Sequence, residues 1–117
     1  MKPTVYVETS IPSYLTARLS NDLRVAANQN TTIEWWEARR PSFELFISEF
    51  VTAEAILGDS AAAQKRLETI ADLPKLSVTD AVRTLAKALI SENAIPPKAE
   101  VDAYHIAVAA VNGVEED

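Results

Sequence analysis

Three short apolar runs, residues 2–8, 43–47 and 73–78, are each separated by enough chain for one or two helices, and this spacing constrains the fold most. Antiparallel neighbours can be joined by a two-residue turn, whereas parallel strands need a crossover of about a dozen residues or more. With only two glycines in 117 residues, tight hairpins are scarce. The order strand, helices, strand, helices, strand, helices implies parallel strands joined by right-handed crossovers. The expected fold class is α/β, a three-layer α/β/α sandwich around a short parallel sheet, with residues 1–117 forming a single domain. Val5, Tyr6, Val7, Leu45, Ile47 and Val108 are the expected core.

The helical stretches carry their own punctuation. Thr9 or Ser10 is placed to cap a short helix over 11–18, where Pro12 is tolerated in the first turn. Ser20-Asn21-Asp22 is a capping cluster for a long helix over 23–40, stopped by Pro41. Its Trp35-Trp36 pair reads either as core packing or as part of a subunit contact. Ser48 caps a helix over 49–57 that Gly58 closes, and Asp59-Ser60 starts another with Ala63, Leu67 and Ile70 inward and Lys65, Arg66 and Glu68 outward. Thr79-Asp80 caps a helix to about residue 92 with Val82, Leu85, Ala86 and Leu89 as its apolar stripe. The last helix, 99–112, places Val101, Tyr104, Val108 and Val111 on one side and is rich in alanine.

Composition excludes several function classes. The formal net charge is −6, so general electrostatic attraction cannot hold nucleic acid to this chain, and any such role has to be local. The absence of cysteine removes disulfides, thiolate metal sites and thiol nucleophiles. One histidine, His105, is too few for an ordinary zinc site. No apolar run is long enough to span a bilayer, and the N-terminus lacks the order of a signal peptide, so a cytoplasmic protein without membrane association is expected.

The chemistry-bearing residues are acids. Glu8 ends the first strand, Glu54 lies in the helix after the second, and Asp102 lies in the first turn of the last helix. Open α/β sheets gather such residues at the C-terminal ends of their strands. Three carboxylates brought together repel one another unless a cation joins them, and Mg²⁺ or Mn²⁺ suits an all-oxygen set. Each acid also has a plainer reading: Asp102 at a helix dipole, Glu54 on a solvated helix edge, Glu8 as a hydrogen-bonded strand end. His105 lies one turn after Asp102, where a packed or hydrogen-bonded role is commoner than a ligand. A Ser10, His105, Asp102 triad lacks the nucleophile-elbow motif.

The segments Val5-Tyr6-Val7-Glu8-Thr9-Ser10, Ile47-Ser48-Glu49-Phe50-Val51-Thr52-Ala53-Glu54 and Asp102-Ala103-Tyr104-His105-Ile106-Ala107-Val108-Ala109-Ala110, in this order, resemble the PIN domain of VapC-type toxin ribonucleases. The resemblance covers nearly the whole chain. It implies an endoribonuclease in which Glu8, Glu54 and Asp102 are catalytic and hold Mg²⁺ or Mn²⁺, activating water against an RNA phosphodiester. It also implies Thr9 or Ser10 contacting a carboxylate or the substrate phosphate, a homodimer, and inhibition by a small antitoxin protein.

Two departures from the family pattern stand out. Glu8 occupies a position where the family usually has Asp. The family also continues after its Asp-Ala-x-His helix with a further strand, a polar motif and a helix, so the expectation here is a C-terminally shortened version, with residues 114–117 too short and acidic to serve as that strand. The competing reading is a catalytically inactive PIN-like remnant serving as a protein-binding module.

Overall fold

A computed structural model describes residues 2–114. Its order is β1 (Thr4–Tyr6), α1 (Ser10–Thr16), α2 (Leu23–Ala38), a 3-10 turn (Arg40–Ser42), β2 (Glu44–Phe46), α3 (Glu49–Ala55), α4 (Ser60–Ile70), α5 (Asp80–Ser91), a second 3-10 turn (Pro97–Ala99) and α6 (Glu100–Val111). Among the described residues it is thus a mostly helical α/β protein with six α-helices and a two-stranded parallel sheet. The register pairs Val5 with Leu45, and the ladder runs on past the strand end through Val7 N–H to Phe46 O at 2.8 Å. No helix among these residues is long and apolar enough to cross a membrane.

The expected third strand is reduced to one parallel bridge, Ile47 with Lys75. Ile47 N–H donates to Pro74 O and Leu76 N–H donates to Ile47 O, and the ladder stops there. Each side has a physical cause. The next residue on the β2 side is Ser48, already the cap of α3. On the other side Pro74 has no N–H to give; the Ser77 carbonyl, which faces away from β2, accepts from Asn112 Nδ2 at 3.0 Å.

Val5, Tyr6, Val7, Leu45, Ile47 and Val108 are all buried. They form one cluster with Val51, Ile70, Val82, Ala86, Ala103 and Ala107. The buried side of α6 differs from the expected one: Val101 and Val111 are exposed, while Ala103, Ala107 and Val108 are fully buried with His105 beside them. Small side chains on that side let α6 lie close against α5, whose Val82 and Ala86 are equally inaccessible. Trp35 and Trp36 pack partly buried against the core, Trp35 beside Phe43 at 5.5 Å between ring centroids and Trp36 beneath the Arg40 guanidinium at 4.3 Å.

The caps explain how the crossovers are held. Asp22 accepts from Arg24 and Val25 N–H, Ser48 from Phe50 N–H, and Asp59 from Ala62 N–H. Gly58 follows α3 at φ +86°, in the left-handed region that glycine alone enters without strain. Gln29, the one buried residue of α2, ties down the preceding loop by accepting from Ser20 N–H and donating to Arg18 O. Thr9 and Thr79 sit at cap positions without a side-chain cap bond. Of residues 114–117, Val114 packs against the core and donates its N–H to Ala109 O, and the remainder lie outside the described residues.

Ala107→Leu tests the close approach of α6. Forcing added methylenes into a closed contact costs about 1–3 kcal/mol, so the unfolding free energy from urea titration falls by that amount, whereas Val111→Leu on the exposed side leaves it within about 0.5 kcal/mol.

Candidate functional site

The site begins where β1 runs out. Tyr6 is the last residue of the strand and is buried to 1% exposure, so its hydroxyl has to find partners inside the protein. It finds two, Ser48 Oγ at 2.8 Å and His105 Nδ1 at 2.5 Å. The other ring nitrogen of His105 meets Glu54 Oε1 at 2.5 Å, and the same oxygen accepts from Thr9 Oγ1 at 2.8 Å. One continuous polar chain therefore connects the cap of α3, the end of β1, the middle of α6, the end of α3 and the start of α1.

With Glu54 ionised, the directions of the two bonds it receives follow. A carboxylate only accepts, so Thr9 O–H and His105 Nε2–H both point at Glu54. If the imidazole is neutral, Nδ1 accepts from Tyr6 O–H and Ser48 O–H donates to Tyr6; if it is an imidazolium, Nδ1–H donates to Tyr6, whose O–H then donates to Ser48. Ser48 Oγ in turn accepts Phe50 N–H at 3.2 Å. No buried side-chain nitrogen or oxygen lacks a partner among the described residues. The ring is also held by aromatic contact, with centroids 5.5 Å from Tyr6 and 6.4 Å from Phe50.

Glu8 and Asp102 stand beside this chain rather than in it. Together with His105 and Ile106 they line a small cavity of about 280 Å³. Glu8 is half-buried and accepts a hydrogen bond from Ser10 Oγ, which preorganises the carboxylate. Asp102 is exposed in the first turn of α6, where its charge complements the helix dipole. Thr9 and Ser10, expected either to cap a helix or to contact a carboxylate, do the latter: their hydroxyls go to Glu54 and Glu8.

The three acids singled out in the sequence thus lie around one histidine. Glu8 and Asp102 share the cavity with it, and Glu54 binds it from the α3 side. Among the described residues no group of three or more Asp, Glu, His or Cys side chains converges tightly enough to hold a metal by protein ligands alone. Mg²⁺ commonly takes one or two carboxylates, with water and substrate oxygens completing its shell. Glu8 and Asp102 bring two carboxylates to one cavity, while one Glu54 oxygen is committed to two hydrogen bonds. Sequence reasoning missed Tyr6 and Ser48 as parts of the site. The available signal was a tyrosine within an otherwise apolar strand, since a hydroxyl at such a position needs a partner.

No family model matches the chain, and neither the curated proteins nor the solved structures contain a match to it.

Tyr6→Phe removes the hydroxyl that both Ser48 and His105 need, and leaving buried polar groups unmatched costs about 1–3 kcal/mol. Urea unfolding should show that loss. The double variant Tyr6→Phe/Glu54→Gln should depart from additivity by about 0.5–3 kcal/mol, because His105 links the two sites.

Proposed function

We propose that this chain is a PIN-like, Mg²⁺- or Mn²⁺-dependent endoribonuclease with its centre at Glu8, Asp102 and Glu54, on a three-layer α/β/α arrangement of the elements above. The observation that carries the reading is that three acids 46 and 48 residues apart in sequence are gathered about His105, two of them lining one cavity with it. Parallel pairing of β1 and β2 puts Glu8 and the start of α3 at the same end of the sheet, the end at which α/β proteins bind ligands.

In this reading Glu8 and Asp102 hold the metal. When bound there, a divalent cation supplies charge stabilisation to the phosphodiester and lowers the pKa of water for attack on phosphorus. Ser10 fixes the Glu8 carboxylate. Glu54 orients the imidazole through Nε2, and Tyr6 holds the opposite nitrogen. With both ring nitrogens engaged, His105 acts as a positioning residue that sets the wall of the cavity, not as a proton acceptor. The longer Glu8 side chain, in place of the family's usual Asp, is accommodated by its bond to Ser10. Homodimer formation and inhibition by a small antitoxin protein belong to the same proposal and rest on the resemblance in sequence.

A second reading has its own support. One oxygen of Glu54 is spent on His105 and Thr9, so an acid that the family counts in its centre serves the fold here, as it would in a catalytically inactive protein-binding module built on the same scaffold.

Incubation of purified protein with RNA and Mn²⁺ separates the two. On the nuclease reading RNA is cleaved, and Glu8→Gln or Asp102→Asn lowers the rate on the order of a thousandfold, corresponding to about 4 kcal/mol of lost transition-state stabilisation. Asp102→Asn also weakens Mn²⁺ binding in titration. No cleavage above that of the Asp102→Asn control, together with Mn²⁺ binding unaffected by it, selects the binding module.

A further inference from the structure

A second cavity, of about 300 Å³, lies between α1 and α4. Ser13 and Thr16 line it from α1 and Arg18 from the segment after it, with Lys65 and Arg66 from α4 and Asp59 at the rim. Three of the chain's 11 basic residues therefore face one concavity in a protein of net charge −6. Two other cavities differ in charge. The one beside Glu8 is lined by two acids and no lysine or arginine, and in the one beside β2 Arg40 is paired with Asp72 at 3.3 Å, with Glu44 nearby.

The cations of the α1/α4 cavity are available. Among the described residues no ion pair joins Arg18, Lys65 or Arg66 to an acid, and Asp59 is occupied in capping α4 through Ala62 N–H. Arg66 is also fixed in place: Nε donates to Ala55 O at 3.1 Å and Nη2 to Leu57 O at 2.6 Å. A guanidinium has five N–H donors, so these bonds orient the fork and leave others for a ligand. Arg18 and Lys65 are exposed at their ends, whereas Arg66 and Ser13 are half-buried. A fixed guanidinium, two further cations and a serine hydroxyl in one hollow match the phosphate group, which takes charge-assisted bonds from arginine and a point charge from lysine.

We propose that the α1/α4 cavity binds backbone phosphate of single-stranded RNA, as a holding site separate from the Glu8 and Asp102 cavity. The choice of RNA over other polyanions rests on the nuclease reading above. The placement supports it: α1 carries Ser10, bonded to Glu8, in its first turn, and Ser13 and Thr16 in its remainder. A seven-residue helix is about 10 Å long, so a strand leaving the acidic cavity along α1 reaches the basic one within a few nucleotides. Such a site also answers the charge problem posed by the composition, because it makes attraction to phosphate local.

The test uses the full chain and a 2′-O-methyl oligouridine of about 10 nucleotides, within the length that single-strand sites usually cover. Arg18→Ala/Lys65→Ala is the informative variant, since neither side chain forms a hydrogen bond or ion pair among the described residues; Arg66 is left intact because it ties α4 to the end of α3. Fluorescence anisotropy should show binding weakened on the order of tenfold, and a slope of log affinity against log salt shallower by roughly 1.4, for two lost contacts at about 0.7 each. Absence of oligouridine binding by the parent, or an unchanged affinity and slope in the double variant, overturns the proposal. So does a loss confined to polyglutamate of matching charge, which would assign the cavity to an acidic protein segment. Failure of the nuclease reading is seen separately: a parent protein that binds oligouridine through Arg18 and Lys65 yet cleaves no RNA keeps the holding site and loses the enzyme.

Discussion

The hydrogen bond between the Tyr6 hydroxyl and His105 Nδ1 is the interaction on which the arrangement of this molecule depends. It joins residues 99 positions apart, and it sits where β1 ends and the helices α3 and α6 come together. Burial makes it consequential. In a region of low effective dielectric, satisfied polar bonds strengthen and unsatisfied ones are costly, so a partial version of the chain from Ser48 to Thr9 would be worse than an apolar replacement. Satisfaction of every member therefore fixes α3, α6 and the start of α1 in one mutual position.

That constraint has consequences for the acids. Glu54 is drawn toward α6 by the imidazole and toward α1 by Thr9, so its carboxylate acts as a clasp between three helices. Glu8 and Asp102, relieved of that duty, face the cavity. A division of labour between a structural carboxylate and two cavity-facing ones follows from geometry, since His105 has only two nitrogens and both are engaged. The proposed metal chemistry falls to the pair that remains.

The packing of α6 serves the same end. Alanine at 103 and 107 removes bulk on the inward side, so the helix approaches closely and carries His105 to Tyr6. Larger residues there would hold the imidazole away from its partners. The valines at 101 and 111, turned outward, show that hydrophobicity alone does not choose the buried side of a helix that is apolar nearly all round. The choice goes to the side that lets the polar chain close.

Much of the local structure was determined by sequence alone. The β-branched run at Thr4–Tyr6, the caps at Asp22, Ser48 and Asp59, the stop before Pro41 and the stripe of α5 each depend on neighbours within a few residues, and each formed as its residues specify. The grouping of Glu8, Glu54 and Asp102 near one end of the sheet was also legible, because parallel crossovers carry successive strand ends to the same side. What tertiary structure decided was which partner each polar group takes. Thr9 and Ser10 have the residue types of helix caps, yet their hydroxyls donate to Glu54 and Glu8: Thr9 has helical φ/ψ rather than the extended backbone of a cap, and Ser10 is already the first residue of α1. The third strand was reduced to a single bridge where β2 gives way to the Ser48 cap of α3 and where Pro74 has no N–H to extend the ladder. The gathering of Arg18, Lys65 and Arg66 likewise arises only when α1 meets α4. Periodicity and capping act over the few residues they span; the choice among competing hydrogen-bond partners and the meeting of distant charges are settled only when the chain closes on itself.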